Sequence, residues 1–142
     1  MTHHQQLSLA FCAVLLAGCG SNAGNSQQQQ PDGGFQQGQA LYELHCSNCH
    51  APNGMGLIGN IPPLANSDYL VQHLPELPCL IKNGIRGEMV VNGKKYNGVM
   101  AGITSLTDVE VTNIINYVSR SWGNEQPYTT IRDVQTAWQQ CK

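Results

Sequence analysis

Apolar residues in the last third of the chain recur with the period of an α-helix. They stand at positions i, i+3, i+4 and i+7, namely Val111, Ile114, Ile115 and Val118. Thr107 precedes this run, and Glu110 follows Thr107 at the spacing of a capping box, in which each side chain accepts the backbone N–H of the other residue. The pattern predicts an amphipathic helix from Thr107 to about Arg120, with one face buried.

Weaker helical patterns occupy four other stretches. One begins at Phe35 and runs toward the first pair of closely spaced cysteines. Residues 67–70 and 80–84 predict two short helices, the second of which ends at a glycine. Residues 130–141 begin with Thr130 as a cap and place apolar residues on one face, which predicts a last helix.

Strand signals are confined to one place. Asn92-Gly93 lies between short β-prone flanks, which is the pattern of a two-residue hairpin turn. Strands are therefore predicted near residues 90–96 and nowhere else. A chain of 142 residues has room for one small domain with appendages. The expected fold is thus mostly α-helical, with one small β-hairpin.

The N-terminal residues resemble a targeting signal. Leu7–Ala17 is an apolar run of signal-peptide length that is too short to span a bilayer. It leads into Leu16-Ala17-Gly18-Cys19, which resembles the lipobox of bacterial lipoproteins, although no Lys or Arg precedes it. The resemblance implies removal of residues 1–18 and acylation of Cys19. The outer membrane is favoured, because Gly20 follows Cys19 where an aspartate would resemble an inner-membrane retention signal. An ordinary cleaved signal peptide is the alternative.

Composition separates a tether from a domain and excludes several functions. Residues 19–34 are mostly Gln, Asn, Gly and Ser, which predicts a flexible tether ahead of a domain at residues 35–142. The net charge of −2 gives no reason to expect nucleic-acid binding. The sequence shows no phosphate-binding loop, Ser-His-Asp set or paired carboxylates. We therefore expect no catalysis on a small-molecule substrate.

The strongest chemical signal is the pentapeptide Cys46-Ser47-Asn48-Cys49-His50, the attachment pattern of a c-type haem. Its two sulfurs form thioethers with the two vinyl groups of one porphyrin, and the adjacent imidazole binds the iron. A thioredoxin-like redox pair and half of a zinc site are the alternatives. The first lacks a βαβ context here, and the second lacks another ligand pair. The motif predicts one covalent haem c on Cys46 and Cys49, with His50 as an iron ligand.

The residues around this motif resemble those of class I c-type cytochromes. Gly38, Tyr42 and Cys46 follow one another at intervals of four, and Tyr117 lies where that family places an aromatic residue on its C-terminal helix. The resemblance implies a class I cytochrome c fold, in which the two terminal helices cross at the glycine and pack around the haem. Residues 117–124 also resemble cytochromes that are subunits or fused domains of copper nitrite reductases and quinoprotein alcohol dehydrogenases.

The same resemblance implies two further groups at the iron. In this family a proline carbonyl accepts a hydrogen bond from the haem-binding histidine. Its spacing to Leu64 favours Pro62, with Pro63 or a plain Pro-Pro turn as alternatives. The family's axial methionine lies shortly before the last helix of the fold, which corresponds to Met100. The alternatives for that sixth position are Met89, His73 or an open site.

Three residues near Met100 in sequence extend this expectation. Tyr96 and Asn97, in the same stretch, are candidates to support the iron ligands. Ala101 follows Met100 where many relatives have Pro, which predicts a looser loop and a weaker bond between Met100 and iron.

Two cysteines have no role in this scheme. Cys12 belongs to the signal and Cys19 to the lipid, which leaves Cys79 and Cys141. Disulfides persist outside the cytoplasm, so the two are predicted to be bonded to each other. Such a long loop gives a stabilisation of roughly 2–4 kcal/mol. Two buried free thiols are the alternative.

Together these residues predict an extracytoplasmic, lipid-anchored electron carrier that exchanges electrons with redox proteins. The alternatives are a subunit of a larger periplasmic oxidoreductase and a haem enzyme or gas sensor with a displaceable sixth ligand. The segment before Met100 carries one acid, Glu88, and four bases, which are Lys82, Arg86, Lys94 and Lys95. In the family's architecture this segment borders the haem edge and would steer an acidic partner. A merely solvated hairpin is the alternative.

Overall fold

The computed structural model describes residues 31–141, with side chains from Gly34 onward. The predicted signal peptide at 1–18, the acylated Cys19 and most of the predicted tether lie outside these residues. Within the described part, no helix has both the length and the apolar character needed to cross a membrane.

Two helices lead into the cysteine motif. Helix α1 spans Pro31–His45, and the single-turn helix α2 spans Ser47–His50. Helix α1 therefore begins four residues before the predicted start at Phe35, inside the stretch assigned to the tether. Proline is favoured at the first position of a helix, because its missing N–H has no partner there in any case. The polar composition of residues 31–34 concealed this first turn.

Three short helical segments follow the motif. Helix α3 spans Asp68–Gln72, a 3-10 turn spans Leu74–Glu76, and helix α4 spans Leu77–Asn83. The Ser67 hydroxyl accepts the Leu70 N–H and caps α3. Both predicted short helices are present, and α4 begins three residues earlier than its pattern indicated.

The hairpin is longer than its sequence signal. Strand β1 spans Gly84–Val91 and strand β2 spans Lys94–Ala101, in antiparallel register with Val91 opposite Lys94. The turn at residues 92–93 lies where it was predicted, and the two strands extend beyond the predicted region of residues 90–96 at both ends. Glycines in both strands weaken their local β-propensity, whereas cross-strand pairing compensates for it.

Two capped helices complete the chain. Helix α5 spans Asp108–Val118 and helix α6 spans Ile131–Gln140. Thr107 forms the predicted capping box with Glu110, and Thr130 forms a second one with Asp133. Both caps are local in sequence, which is why the pattern of residue types located them correctly.

Helices α1 and α5 cross where a glycine removes the side chain between them. A Cβ at Gly38 would lie 2.1 Å from the backbone oxygen of Asn113 and 2.8 Å from the Tyr117 Cβ, so only glycine fits this crossing. Tyr42, which is fully buried, stacks beside the crossing with its ring 5.5 Å from that of Tyr117 and 5.0 Å from that of Trp122. The α1–α5 pair forms the core on which the cysteine motif rests.

Candidate haem site

The cysteine motif folds as one helical turn that continues from α1. The Cys46 N–H donates to the Tyr42 carbonyl at 2.8 Å, and the His50 N–H donates to the Cys46 carbonyl at 2.9 Å. The turn leaves Cys46 half-buried and Cys49 exposed, while only 9% of His50 is exposed. Neither thiol bonds to another cysteine within the described residues. Both sulfurs are therefore free to form thioethers.

Burial controls the protonation of the motif before a haem is attached. It raises the pKa of the Cys46 thiol to about 11, and the neighbouring Cys49 adds to this rise. Burial also lowers the pKa of His50, an effect that its hydrogen bond to Pro62 opposes. At neutral pH the imidazole is therefore neutral, the form that can bind a metal ion.

The Pro62 carbonyl orients the His50 ring. The His50 Nδ1 lies 3.2 Å from the Pro62 oxygen. A carbonyl can only accept, so Nδ1 carries the proton, and Nε2 is left as the atom with a free lone pair. The structure thus places Pro62, rather than Pro63, at the imidazole. Such a bond holds the ring orientation and raises its basicity toward a metal.

A loop with two tight glycines holds that carbonyl in place. Gly54 accepts the Leu64 N–H at 2.7 Å, and a Cβ at Gly54 would meet the Trp122 ring at 2.4 Å. Gly56 has a φ of +64°, and a Cβ there would lie 2.3 Å from the Ile61 oxygen and 2.6 Å from the Pro62 oxygen. The contact of this loop with the Pro62 carbonyl is a tertiary feature.

Tyr42 supports the residue that directly follows the cysteine motif, Ala51. Its hydroxyl donates to the Ala51 carbonyl at 2.5 Å, and Ala51 has a φ of 61° where the chain turns out of the motif. Desolvation raises the pKa of Tyr42 strongly, so the phenol stays protonated and remains a donor. This support from Tyr42 was not predicted from the sequence. The only hint was that the family pattern puts an aromatic residue four positions before Cys46.

The structure places Met100 on the inner face of the hairpin. Residues of one strand alternate between two faces, and directly paired residues share a face. Met100 pairs with Ile85, and Met89 pairs with Tyr96, so both methionines share a face and both are half-buried. Tyr96, with 6% exposed, lies on that face too. Asn97 is exposed and lies on the opposite face, away from Met100.

The other candidate sixth ligands have different surroundings. His73 bonds to Glu76, and its ring lies 4.1 Å from that of Tyr69. Between residues 31 and 141, no three His, Cys, Asp or Glu side chains cluster as a metal site would require.

The basic residues before Met100 are partly engaged with their neighbours. Lys95 pairs with Glu88 at 3.0 Å, with both side chains exposed. Lys82 lies over the Trp138 ring, 4.2 Å from its centroid. Arg86 and Lys94 are exposed. Lys95 is therefore compensated by Glu88, whereas Lys82, Arg86 and Lys94 carry the excess positive charge of this segment.

A disulfide joins Cys79 on α4 to Cys141 after α6, with the two Cα atoms 5.6 Å apart and the two residues 62 positions apart in sequence. Two further contacts lie beside it. The Trp138 Nε1–H donates to the Pro78 carbonyl at 3.1 Å, and Lys82 stacks on the same ring.

The described residues bring together a histidine whose ring is held by Pro62, two thiols at the spacing of a haem attachment motif, and a helix pair that crosses at a glycine. The family model that matches, described as Cytochrome c, covers residues 35–122. The chain belongs to the cytochrome c family. The prediction of a mostly helical cytochrome c fold with one hairpin is confirmed. Family membership implies a covalently bound haem c and a role in electron transfer as a carrier rather than an enzyme.

Two groups of relatives are similar to the chain. A cytochrome c-552 from Thermus thermophilus is 34% identical over 93 residues, which are 61% of this chain and 69% of that protein. The cytochrome c subunit of a quinone alcohol dehydrogenase from Gluconacetobacter polyoxogenes is 32% identical over 101 residues. That alignment covers 68% of this chain but only 21% of the subunit. The equivalent subunit from Gluconobacter oxydans is 28% identical, with 20% of it covered.

The residues present fit a haem c. The two thiols are unbonded, the imidazole is neutral with Nε2 free, and the Pro62 carbonyl already orients it. The chemistry of this donor set, two thioether-forming sulfurs and one imidazole, is that of a c-type haem site.

Proposed function

We propose that this protein is a monohaem electron carrier whose iron is held by His50 and Met100. The observation that carries the proposal is the buried His50 ring, whose Nδ1 is committed to Pro62 directly after the two cysteines. A bound haem c supplies a one-electron couple between ferric and ferrous iron. A thioether ligand is neutral and soft, which favours the reduced state and raises the potential.

The chain's own residues keep the geometry of the haem site similar in the ferric and ferrous states. Cys46 and Cys49 attach the porphyrin covalently, and the Pro62 carbonyl holds the imidazole. Met100 is presented on the inner face of a paired strand rather than in an open loop. Rigid ligands reduce the reorganisation that accompanies electron transfer.

The sixth ligand is tested by a matched pair of methionine variants. Met100→Ala is expected to abolish the near-infrared band that a methionine gives with ferric iron, and to allow carbon monoxide to bind the reduced protein rapidly. Met89→Ala is the control, because Met89 lies half-buried on β1, on the same face of the hairpin as Met100. If the band survives in Met100→Ala and disappears in Met89→Ala, the assignment belongs to Met89. Rapid carbon monoxide binding by the unaltered protein would instead favour a sensor or enzyme with a displaceable ligand.

We also propose that Cys19 carries a lipid and that the domain acts on the extracytoplasmic side of a bacterial membrane. The support is the lipobox-like Leu16-Ala17-Gly18-Cys19 and the signal-length run before it. Cys19→Ser should release the haem protein from the membrane fraction. A mature mass without acyl groups, in the unaltered protein, would exclude the lipid.

A second candidate function is an electron-transfer subunit of a larger oxidoreductase. The similarity to cytochrome subunits of quinone alcohol dehydrogenases, over 68% of this chain, favours it. Copurification with a stoichiometric dehydrogenase or oxidase after mild solubilisation would support this function. A monomeric protein that accepts and donates electrons freely would support the free carrier.

The disulfide is part of the proposal as well. Alkylation of the denatured protein without reductant should label neither Cys79 nor Cys141; the support is the separation of 5.6 Å between their Cα atoms, which suits a disulfide. Two labelled cysteines at these positions would exclude the bond.

A further inference from the structure

The C-terminal helix α6 is linked to the segment that carries Met100 indirectly, through contacts with α4. Helix α6 lies outside the residues 35–122 that match the family model. It packs on α4, and α4 leads directly into strand β1. The question is whether α6 serves only stability or also places Met100.

Helix α6 is itself firmly attached to the domain. Val134 is fully buried, and Gln135 donates to the Asp108 carboxylate on α5 at 2.5 Å. The segment before α6 is fixed by Asn116, whose amide donates to the Thr129 carbonyl at 2.9 Å and accepts the Thr129 N–H at 2.8 Å. These contacts make α6 a fixed surface rather than a loose extension.

Three contacts connect this surface to α4. The Cys79–Cys141 disulfide joins the two segments covalently. The Trp138 indole N–H donates to the Pro78 carbonyl at 3.1 Å, and the Lys82 ammonium lies 4.2 Å above the same ring. Two of them lie at the adjacent residues Pro78 and Cys79 in the first turn of α4, and the third lies at Lys82 near its end, so both ends of that helix are restrained.

Helix α4 and Gly84, which directly follows it, in turn contact the backbone from Met100 to Ile103. The Ile103 N–H donates to the Ile81 carbonyl at 2.9 Å. A Cβ at Gly102 would lie 2.4 Å from the Lys82 oxygen, and one at Gly84 would lie 2.3 Å from the Met100 oxygen. Backbone approaches of this closeness leave no room for one segment to shift without the other.

We propose that α6 acts as a positioning element for the sixth iron ligand, with Trp138 and the Cys79–Cys141 disulfide as its positioning residues. Trp138 and the Cys79–Cys141 disulfide, together called the clamp, restrain α4. Helix α4 in turn restrains the backbone that presents Met100. The clamp compensates for Ala101, which stands where many relatives have a proline to stiffen this segment. The inference rests on Met100 being the ligand, as proposed above.

The test uses the haem-loaded, full-length protein and two clamp variants, Trp138→Ala and the double variant Cys79→Ser/Cys141→Ser. Imidazole is the probe, because it competes with Met100 for ferric iron. Loosening the clamp should weaken the near-infrared methionine band and raise the apparent affinity for imidazole by a factor of about 2 to 30. Trp138→Phe keeps a ring but loses the N–H donor, and should fall between Trp138→Ala and the unaltered protein.

Ala40→Gly is the stability control, because Ala40 is exposed on α1 and its replacement lowers only the helix propensity of α1. It should lower stability without changing imidazole affinity. The proposal is overturned if the clamp variants leave imidazole affinity and the band unchanged while Met100→Ala changes both. It is equally overturned if Ala40→Gly raises imidazole affinity as much as the clamp variants do.

A second measurement separates this inference from the ligand assignment. Hydrogen exchange at the Ile103 amide, which bonds to α4, should be faster in both clamp variants whether or not Met100 binds iron. If Met100→Ala has no effect on the band or on imidazole binding, the assignment of Met100 as the ligand fails. The restraint of α4 by the clamp is then tested by the exchange rate of the Ile103 amide alone. An unchanged exchange rate in the clamp variants would overturn that restraint.

Discussion

The crossing of α1 and α5 at Gly38 gives the most quantitative prediction. In Gly38→Ala the new Cβ would lie 2.1 Å from the Asn113 oxygen, which belongs to the backbone and cannot rotate away. To lengthen that contact from 2.1 Å to an ordinary separation of about 3.4 Å, the two helices must part by about 1.3 Å. The separation occurs directly beside the buried Tyr42 and Tyr117 rings.

Two terms of opposite sign decide the result. Alanine is favoured over glycine in a helix by about 1 kcal/mol. Overpacking of a close contact costs about 1–3 kcal/mol, and the upper end applies where the neighbour is backbone. We therefore expect a net loss of about 2 kcal/mol in the free energy of unfolding. For a domain of this size that lowers the melting temperature by about 10 °C.

Thermal and denaturant unfolding of the haem-loaded protein measure this change. Ala40→Gly is the matched control, because Ala40 is exposed on the same helix and reports helix propensity alone, about 1 kcal/mol of destabilisation. A Gly38→Ala protein that is more stable than the original by that same propensity would refute the close crossing.

Two further predictions concern the cap of α5 and the loop at His50. Hydrogen bonds from the Thr107 backbone and hydroxyl lower the pKa of Glu110, so its stabilising effect is complete above the ordinary pKa of about 4.5 and is lost as the pH falls through the lowered value. Glu110→Gln should therefore destabilise at pH 7 and match the original protein near pH 2; an equal difference at both pH values would contradict the cap. Gly56→Ala forces a Cβ against the Pro62 carbonyl, so the bond to His50 should lengthen and the reduction potential should change, at a cost of about 1–3 kcal/mol in stability. A Gly56→Ala protein with an unchanged potential and unchanged stability would refute this coupling.

Local features could be predicted from the sequence because their physics is local. The capping box at Thr107 lies within one turn, so spacing alone located the start of α5. The turn at Asn92-Gly93 is equally local, because type I′ hairpin turns need positive φ, and both residues have it. The cysteine motif needs only consecutive residues. The Pro62 carbonyl was expected only from the resemblance to class I cytochromes, because it lies 12 positions from His50 in the chain.

Apart from the Cys79–Cys141 pair, which the count of cysteines predicted, features that depend on distant pairing could not be predicted. The lengths of β1 and β2 come from cross-strand pairing that offsets the weak propensity of their glycines. Strand register also decided that Tyr96 shares a face with Met100 and that Asn97 does not. A change of one residue in register would exchange those faces, and no local signal specifies which register forms.

By itself, the sequence determined a helical domain with a covalent haem motif, its histidine and the helix caps, because each depends on neighbours within a few residues. Only the tertiary structure decided how α6 fixes α4, and how Gly84 and Gly102 bring α4 against the backbone around Met100. Those contacts join residues far apart in the chain. Their closeness depends on how whole elements pack, which the pattern of residue types along the chain does not encode.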